Sequence, residues 1–469
     1  MAITSPFFFG DTGFYPYEIN SSMRFSEDHS AYLTRTPSGD GNRRTFTFSA
    51  WIKRSTLITA TSATNAIVTW QNDSENSDWD KLSFIPSNYG GENKLEFVLD
   101  GASDGQLLTN ATYRDTSAWY HIVVAVDTTQ GTDTNRVKLY VNGEQPSLGT
   151  ATYPAQNFDC WVNKAGRKTN IGSNIYASPN KYFDGYMAEI HFIDGTALTP
   201  SSFGETKEGV WIPKAVTGVT YGTNGYYLKF NQTGSGTASS TTMGADSSGE
   251  DNHFTQGNIN PIDSNLPDTP TNNFCTLNEL RNYGGGALEI GALKFVSGSS
   301  EYGPAVGTFA VSSGKWYAEL DQNSATSTFC FGAVRTETKL STGFSLGNAG
   351  SFSYRQDGQK NLEGTVSSYG ATWSQNDIIG MALNMDDNEV TFYKNNSTQG
   401  TFSITAGEYS IGCADDTSSA LGAVNLNFGA DSSFNNRRTK ANNADGNGRG
   451  DFFYSPPSGY LALCTANLP

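Results

Sequence analysis

Trp119-Tyr-His-Ile-Val-Val-Ala-Val-Asp127 runs through a polar turn into Arg136-Val-Lys-Leu-Tyr-Val-Asn-Gly143, and this stretch decides the fold. Its apolar residues alternate, so Ile122, Val124 and Val126 fall on one face of an extended strand. Two such strands predict an antiparallel hairpin with one face buried against a second sheet. The pattern returns downstream. Trp373-Ser-Gln-Asn-Asp-Ile-Ile-Gly-Met-Ala-Leu-Asn-Met-Asp386 leads through Asp387-Asn388 into Glu389-Val-Thr-Phe-Tyr-Lys-Asn395, with Ile379, Met381, Leu383 and Met385 on one face. Two such hairpins predict two sheet-built domains.

Around the first hairpin, Phe46-Thr-Phe-Ser-Ala-Trp-Ile52, Leu95-Glu-Phe-Val-Leu99 and Tyr186-Met-Ala-Glu-Ile-His-Phe192 alternate in the same way, and no long window has a helical period. The expectation is an all-β chain: two antiparallel β-sandwiches joined by a Gly/Ser/Thr-rich connector. Residues 1–22 read as an aromatic arm, packed on its own sandwich or docked on another subunit. Residues 23–200 form the first sandwich. Residues 201–275 form a connector with one or more added strands, among them Gly225-Tyr-Tyr-Leu-Lys-Phe230, and the low-complexity run 233–242 within it reads as flexible. Residues 276–429 form the second sandwich, and 430–469 a tail that packs back on a domain.

The net charge of −16 over 469 residues argues against nucleic acid or anionic lipid as partner. The pairs Arg43-Arg44, Lys53-Arg54 and Arg437-Arg438 read as solvated strand ends. Five scattered cysteines give neither a disulfide framework nor a zinc site, which fits a reducing cytoplasm. No apolar run is long enough for membrane insertion. Charged residues make up only 16% of the chain, so much of the surface must be Ser, Thr, Asn, Gln and Gly, a composition suited to adhesive surfaces.

Phe46-Thr-Phe-Ser-Ala-Trp-Ile-Lys53, Trp119-Tyr-His-Ile-Val-Val124, Val137-Lys-Leu-Tyr-Val-Asn-Gly143 and Phe183-Asp-Gly-Tyr-Met-Ala-Glu-Ile190 resemble a laminin-G-like, concanavalin-A-like jelly roll. Gly314-Lys-Trp-Tyr-Ala-Glu319, Asp377-Ile-Ile-Gly-Met-Ala-Leu383, Val390-Thr-Phe-Tyr-Lys-Asn395 and Val424-Asn-Leu-Asn-Phe428 resemble a SPRY domain. With Asp268-Thr-Pro-Thr-Asn-Asn-Phe274 and the ending Pro456-Pro-Ser-Gly-Tyr-Leu-Ala-Leu-Cys-Thr-Ala-Asn467, the whole is similar to structural proteins of tailed, marine-type bacteriophages. The resemblance implies a virion protein, such as a tail fibre, spike or capsid appendage, assembled in the host bacterial cytoplasm. Its implied partners are other virion proteins, further copies of itself as a homotrimer, and host-cell surface polysaccharide.

The jelly roll also hosts glucanases, whose strand motif E-x-D-x-x-E sets nucleophile and acid about 5–5.5 Å apart. Neither Glu319-Leu-Asp321 nor Glu189-Ile-His-Phe-Ile-Asp194 completes it, and an outward acidic face is expected for Glu319 and Asp321. The four histidines form no metal motif, so the expectation is a protein that is not an enzyme. The alternatives are a purely structural decoration or cement protein and, behind it, a glycan depolymerase. Glycan binding asks for aromatics set among polar residues, and Trp79 and Tyr369 fit that description. The acidic loop holding Asp73, Asp78 and Asp80 offers hard oxygen ligands for calcium, an ion that the resemblance to jelly-roll lectins implies. Arg449-Gly450-Asp451 spells an adhesion tripeptide by coincidence.

Overall fold

The computed structural model describes residues 13–58, 65–72, 78–89, 91–175, 181–283, 285–298, 303–324, 328–341, 346–415 and 422–469. They are almost entirely β, with antiparallel sheets packed as two sandwiches. No described helix is long and apolar enough to cross a membrane.

In the first sandwich, the seven-stranded sheet is ordered Ser264–Leu266, Ser22–Phe25, Gly185–Asp194, Thr45–Arg54, Trp119–Asp127, Val137–Val141, with Tyr226–Leu228 also on Gly185–Asp194. The eight-stranded sheet facing it is ordered Leu148–Thr152, Gly105–Thr112, Lys94–Leu99, Trp79–Ile85, Asn65–Gln71, Lys168–Ile171, Tyr32–Arg35, Thr255–Gly257. Phe46, Phe48, Ile122, Val124 and Val126 from one sheet meet Trp70, Leu82, Phe84, Phe97 and Leu107 from the other in a single core. The opening hairpin forms in the register Val124↔Leu139 and Val126↔Val137. Its outer face is covered as well. Gly204–Lys207 pairs with Val210–Pro213, and residues around this hairpin bury Val123 against Phe203 and Ile193.

The second sandwich has a seven-stranded and an eight-stranded sheet. Its hairpin, Ile378–Asn384 with Glu389–Lys394, aligns Met381 with Phe392 and Leu383 with Val390. Ile379, Met381, Leu383 and Met385 share one core, meeting Phe331, Phe352 and Ile411 of the facing sheet.

Residues 201–275 do more than connect, and they carry added strands. Tyr226–Leu228, Thr255–Gly257 and Ser264–Leu266 each complete a sheet of the first sandwich. Widely spaced Tyr226, Leu228, Phe230, Met243 and Phe254 all enter its core. Each apolar residue is an anchor, and the intervening Gly and Ser supply turns. A composition average hides such anchors.

Two of the three basic pairs depart from expectation. Lys53 and Arg54 are wholly buried. Lys53 Nζ meets Asp268 at 2.8 Å and the Phe274 carbonyl at 2.7 Å. Arg54 donates to the Tyr113 carbonyl at 2.6 Å and Asn93 at 2.8 Å, and burial lowers its pKa to about 9. Arg437 and Arg438 both grip Asp321, at 2.5 and 2.7 Å. Glu319, expected on an outward face, is buried under the C-terminal tail. It accepts the backbone N–H groups of Phe453 and Tyr454, and burial raises its pKa to about 7. Asp451 of the Arg-Gly-Asp tripeptide is buried.

Candidate functional site

Alternation in Trp79–Ile85 sends Leu82 and Phe84 into the first core, so Trp79, Lys81, Ser83 and Ile85 face outward. Sheet register lines their neighbours up in rows. Asn170 lies opposite Thr69, Thr69 opposite Lys81, Lys81 opposite Val98, and Val98 opposite Gln106. A second row joins Ser83 to Glu96 and Glu96 to Leu108. This outer face is polar and yet buried: Thr69, Ser83, Asn170, Lys81 and Glu96 are each 7% exposed or less. Thr69 Oγ1, Ser83 Oγ and Asn170 Oδ1 are left without a hydrogen-bond partner. Buried polar atoms are normally paired, so three orphans on one sheet face are a local cost to the packing; all three residues are closed to the surface.

At one end the face opens into a cavity of about 210 Å³, lined by Trp79, Lys81, Glu96, Gln106, Lys181 and the Gly101–Ala102 turn. Asp100, Gly101 and Ala102 take positive φ values of 48°, 61° and 75°, which folds the backbone over the rim. Gln106 Nε2 donates to Glu96 Oε1 at 2.6 Å. The Lys81 ammonium lies 4.7 Å from the Trp79 ring centroid. Burial lowers the Lys81 pKa to about 8; Glu96 opposes this and Lys181 adds to it.

The residues singled out by sequence fare differently. Trp79 lines the cavity and is half-buried. Tyr369 belongs to the second sandwich: its hydroxyl donates to the Gly400 carbonyl and its ring packs edge-on against Tyr354 and Phe402 at 5.3 and 5.2 Å. It is a packing residue at the edge of that core, and this withdraws it as a sugar platform. Of the calcium trio, the two described members are engaged elsewhere. Asp73 lies outside the described residues. Asp78 pairs with Arg167 at 3.3 Å. Asp80 points inward, wholly buried, and accepts the backbone N–H groups of Asp100 and Val162, each at 2.9 Å. Burial raises its pKa to about 7 against the pull of those amides. A cation would find its oxygens already taken, so Asp80 is corrected from ligand to loop anchor. Among the described residues no three His, Cys, Asp or Glu side chains are grouped to hold a metal.

Glu189, weighed in the sequence only against the hydrolase motif, is the centre of a buried cluster. Glu189 has a positive φ of 49° where the register with Thr45–Arg54 slips. It accepts from the hydroxyls of Tyr227 at 2.6 Å and Tyr17 at 3.0 Å, and His191 is 3.6 Å away. The cluster has no space for a water molecule. The positive φ leaves no trace in the residue pattern, so nothing in the sequence announced it.

Residues 27–202 match the family described as the concanavalin A-like lectin/glucanases superfamily, and residues 315–408 match the SPRY domain. The chain carries a concanavalin A-like domain and a SPRY domain. It is similar to the SPRY domain of human HERC1, at 20% identity over 33% of this chain and 97% of that one, with a TM-score of 0.29. It is similar to a SAP-like pentraxin from Limulus polyphemus, at 16% identity over 39% and 80%, with a TM-score of 0.29. A third similar structure is described as a "putative carbohydrate binding protein" from Bacteroides ovatus, at 19% identity over 51% and 59%, with a TM-score of 0.36. No curated protein matches the chain. The cavity beside Trp79 lies within the concanavalin A-like match.

Proposed function

We propose that the protein is a non-enzymatic glycan-binding protein that holds saccharide on the outer face of its eight-stranded sheet. The observation carrying this reading is the cavity beside Trp79, where Lys81, Glu96 and Gln106 line the same opening as the indole. A sugar supplies many hydroxyls on a flat frame, which suits these polar groups, and an apolar face that suits an indole. The concanavalin A-like match supports it. The carboxylates nearest to a hydrolase motif, Glu189, Glu319 and Asp321, are held by internal donors, which supports a binding role. In a glycan-array or calorimetric assay, Trp79→Ala should weaken binding at least tenfold with the melting temperature unchanged. Undiminished binding would remove the reading.

The sequence resemblance supports a place in a phage particle, as a fibre, spike or capsid appendage that meets host surface polysaccharide. Weak sugar contacts would gain avidity there from many copies, in a symmetric oligomer such as a trimer. Particles lacking the protein should fail to adsorb. Normal adsorption with weakened capsids would instead make it a decoration protein, and sugar release from polysaccharide would make it a hydrolase.

A further inference from the structure

We infer that the cavity beside Trp79 selects an acidic saccharide, one bearing a carboxylate that seats between Lys81 and Lys181. The inference rests on the proposed glycan-binding reading and sharpens it to a substrate class. In a chain of net charge −16, the described residues lining this cavity include two lysines and one acid, Glu96. Lys81 is 7% exposed, yet its ammonium makes no hydrogen bond or ion pair among the described residues; its one close partner is the Trp79 ring. The Lys181 side chain likewise has no ion-pair or hydrogen-bond partner among them. Glu96 attracts Lys81 without pairing to it, and its Oε1 is engaged by Gln106.

An ammonium on a buried stem with no hydrogen-bond or ion-pair partner among the described residues is poorly solvated, and a second ammonium nearby adds repulsion. The depressed Lys81 pKa expresses the same strain. A carboxylate would accept from both lysines in charge-assisted hydrogen bonds and relieve it. A neutral sugar could fill the space and touch Trp79 but would leave both cations unpaired. Val98, Ile85 and Ala102 give the rest of the wall an apolar surface for the ring carbons of a pyranose. Among the described residues the groups facing Lys81 are Glu96, Lys181 and Trp79, and affinity should fall as pH rises through about 8.

The test uses the full chain and isothermal titration with oligogalacturonate, its carboxyl-reduced counterpart, and inorganic phosphate as competitor. The uronate form should bind at least tenfold tighter than the reduced form and weaken with salt. Lys181→Met should erase the difference while keeping the weak binding of the neutral form. Lys81→Met should do the same, with circular dichroism checking that the fold is kept. Equal binding of both oligosaccharides overturns the acidic-sugar inference and leaves the glycan reading standing. Uronate preference unchanged in Lys181→Met overturns it by placing the site elsewhere. Phosphate competition with no effect of Trp79→Ala overturns it as a plain anion site. Binding of neither oligosaccharide overturns it here, and binding of no glycan on an array overturns both.

Discussion

Lys81 carries the sharpest stability consequence of any single residue. Its pKa in the fold is about 8 against 10.5 for the free group, because burial disfavours the ammonium. Between these values the unfolded chain holds a proton that the folded chain has lost, so stability rises with pH across that window. Below about pH 8 the fold bears the full cost, at most about 3 kcal/mol. Lys81→Met should therefore raise the melting temperature at pH 7, with the gain vanishing above about pH 10.5 when the two proteins are compared by scanning calorimetry. The residue escaped the sequence reading because a Lys in an alternating strand looks solvated. Trp79 was legible because no apolar pattern demanded an indole among Ser, Asp and Asn. Tyr369 looked the same, and only its packing against Phe402 and Tyr354 tells it apart.

At the scale of elements, the C-terminal tail is held by buried carboxylates on one strand, Lys315–Gln322. Asp321 takes Arg437 and Arg438, and Glu319 takes the backbone of Phe453 and Tyr454. Asp321→Asn would leave two guanidinium groups facing a neutral amide and should destabilise the tail by roughly 3 kcal/mol. Limited proteolysis should then cut within residues 436–450 while the second sandwich stays protected; an unchanged digestion pattern would disprove the clamp. The strands themselves were readable, because period-two alternation is a local property. The clamp was not, because a carboxylate and its partner more than a hundred residues away share no local pattern.

Across the whole molecule, the two sandwiches are tied by buried polar contacts. Arg24, wholly buried in the first sandwich, meets Asp263 at 2.7 Å and Asp431 of the tail at 3.2 Å. Tyr186 donates to the Gly291 carbonyl at 3.0 Å, and Lys53 holds the chain where it passes from one domain to the next. Arg24→Ala strands two buried carboxylates and should cost about 3–5 kcal/mol. Calorimetry should show the wild type melting in one transition and the variant in two; a single, unshifted transition would mean the domains are not coupled through Arg24. The all-β class and the two hairpins were written in the sequence, since each depends on alternation and turn chemistry within a few tens of residues; the two domain types came from the resemblance its motifs carry. Only the tertiary structure decided that residues 201–275 belong to the first sandwich, that Lys53, Arg54, Glu319 and Asp321 are buried, and that Trp79 shares a cavity with Lys81 and Lys181. Burial and charge pairing depend on which distant strands lie side by side, and that register is written in no single segment.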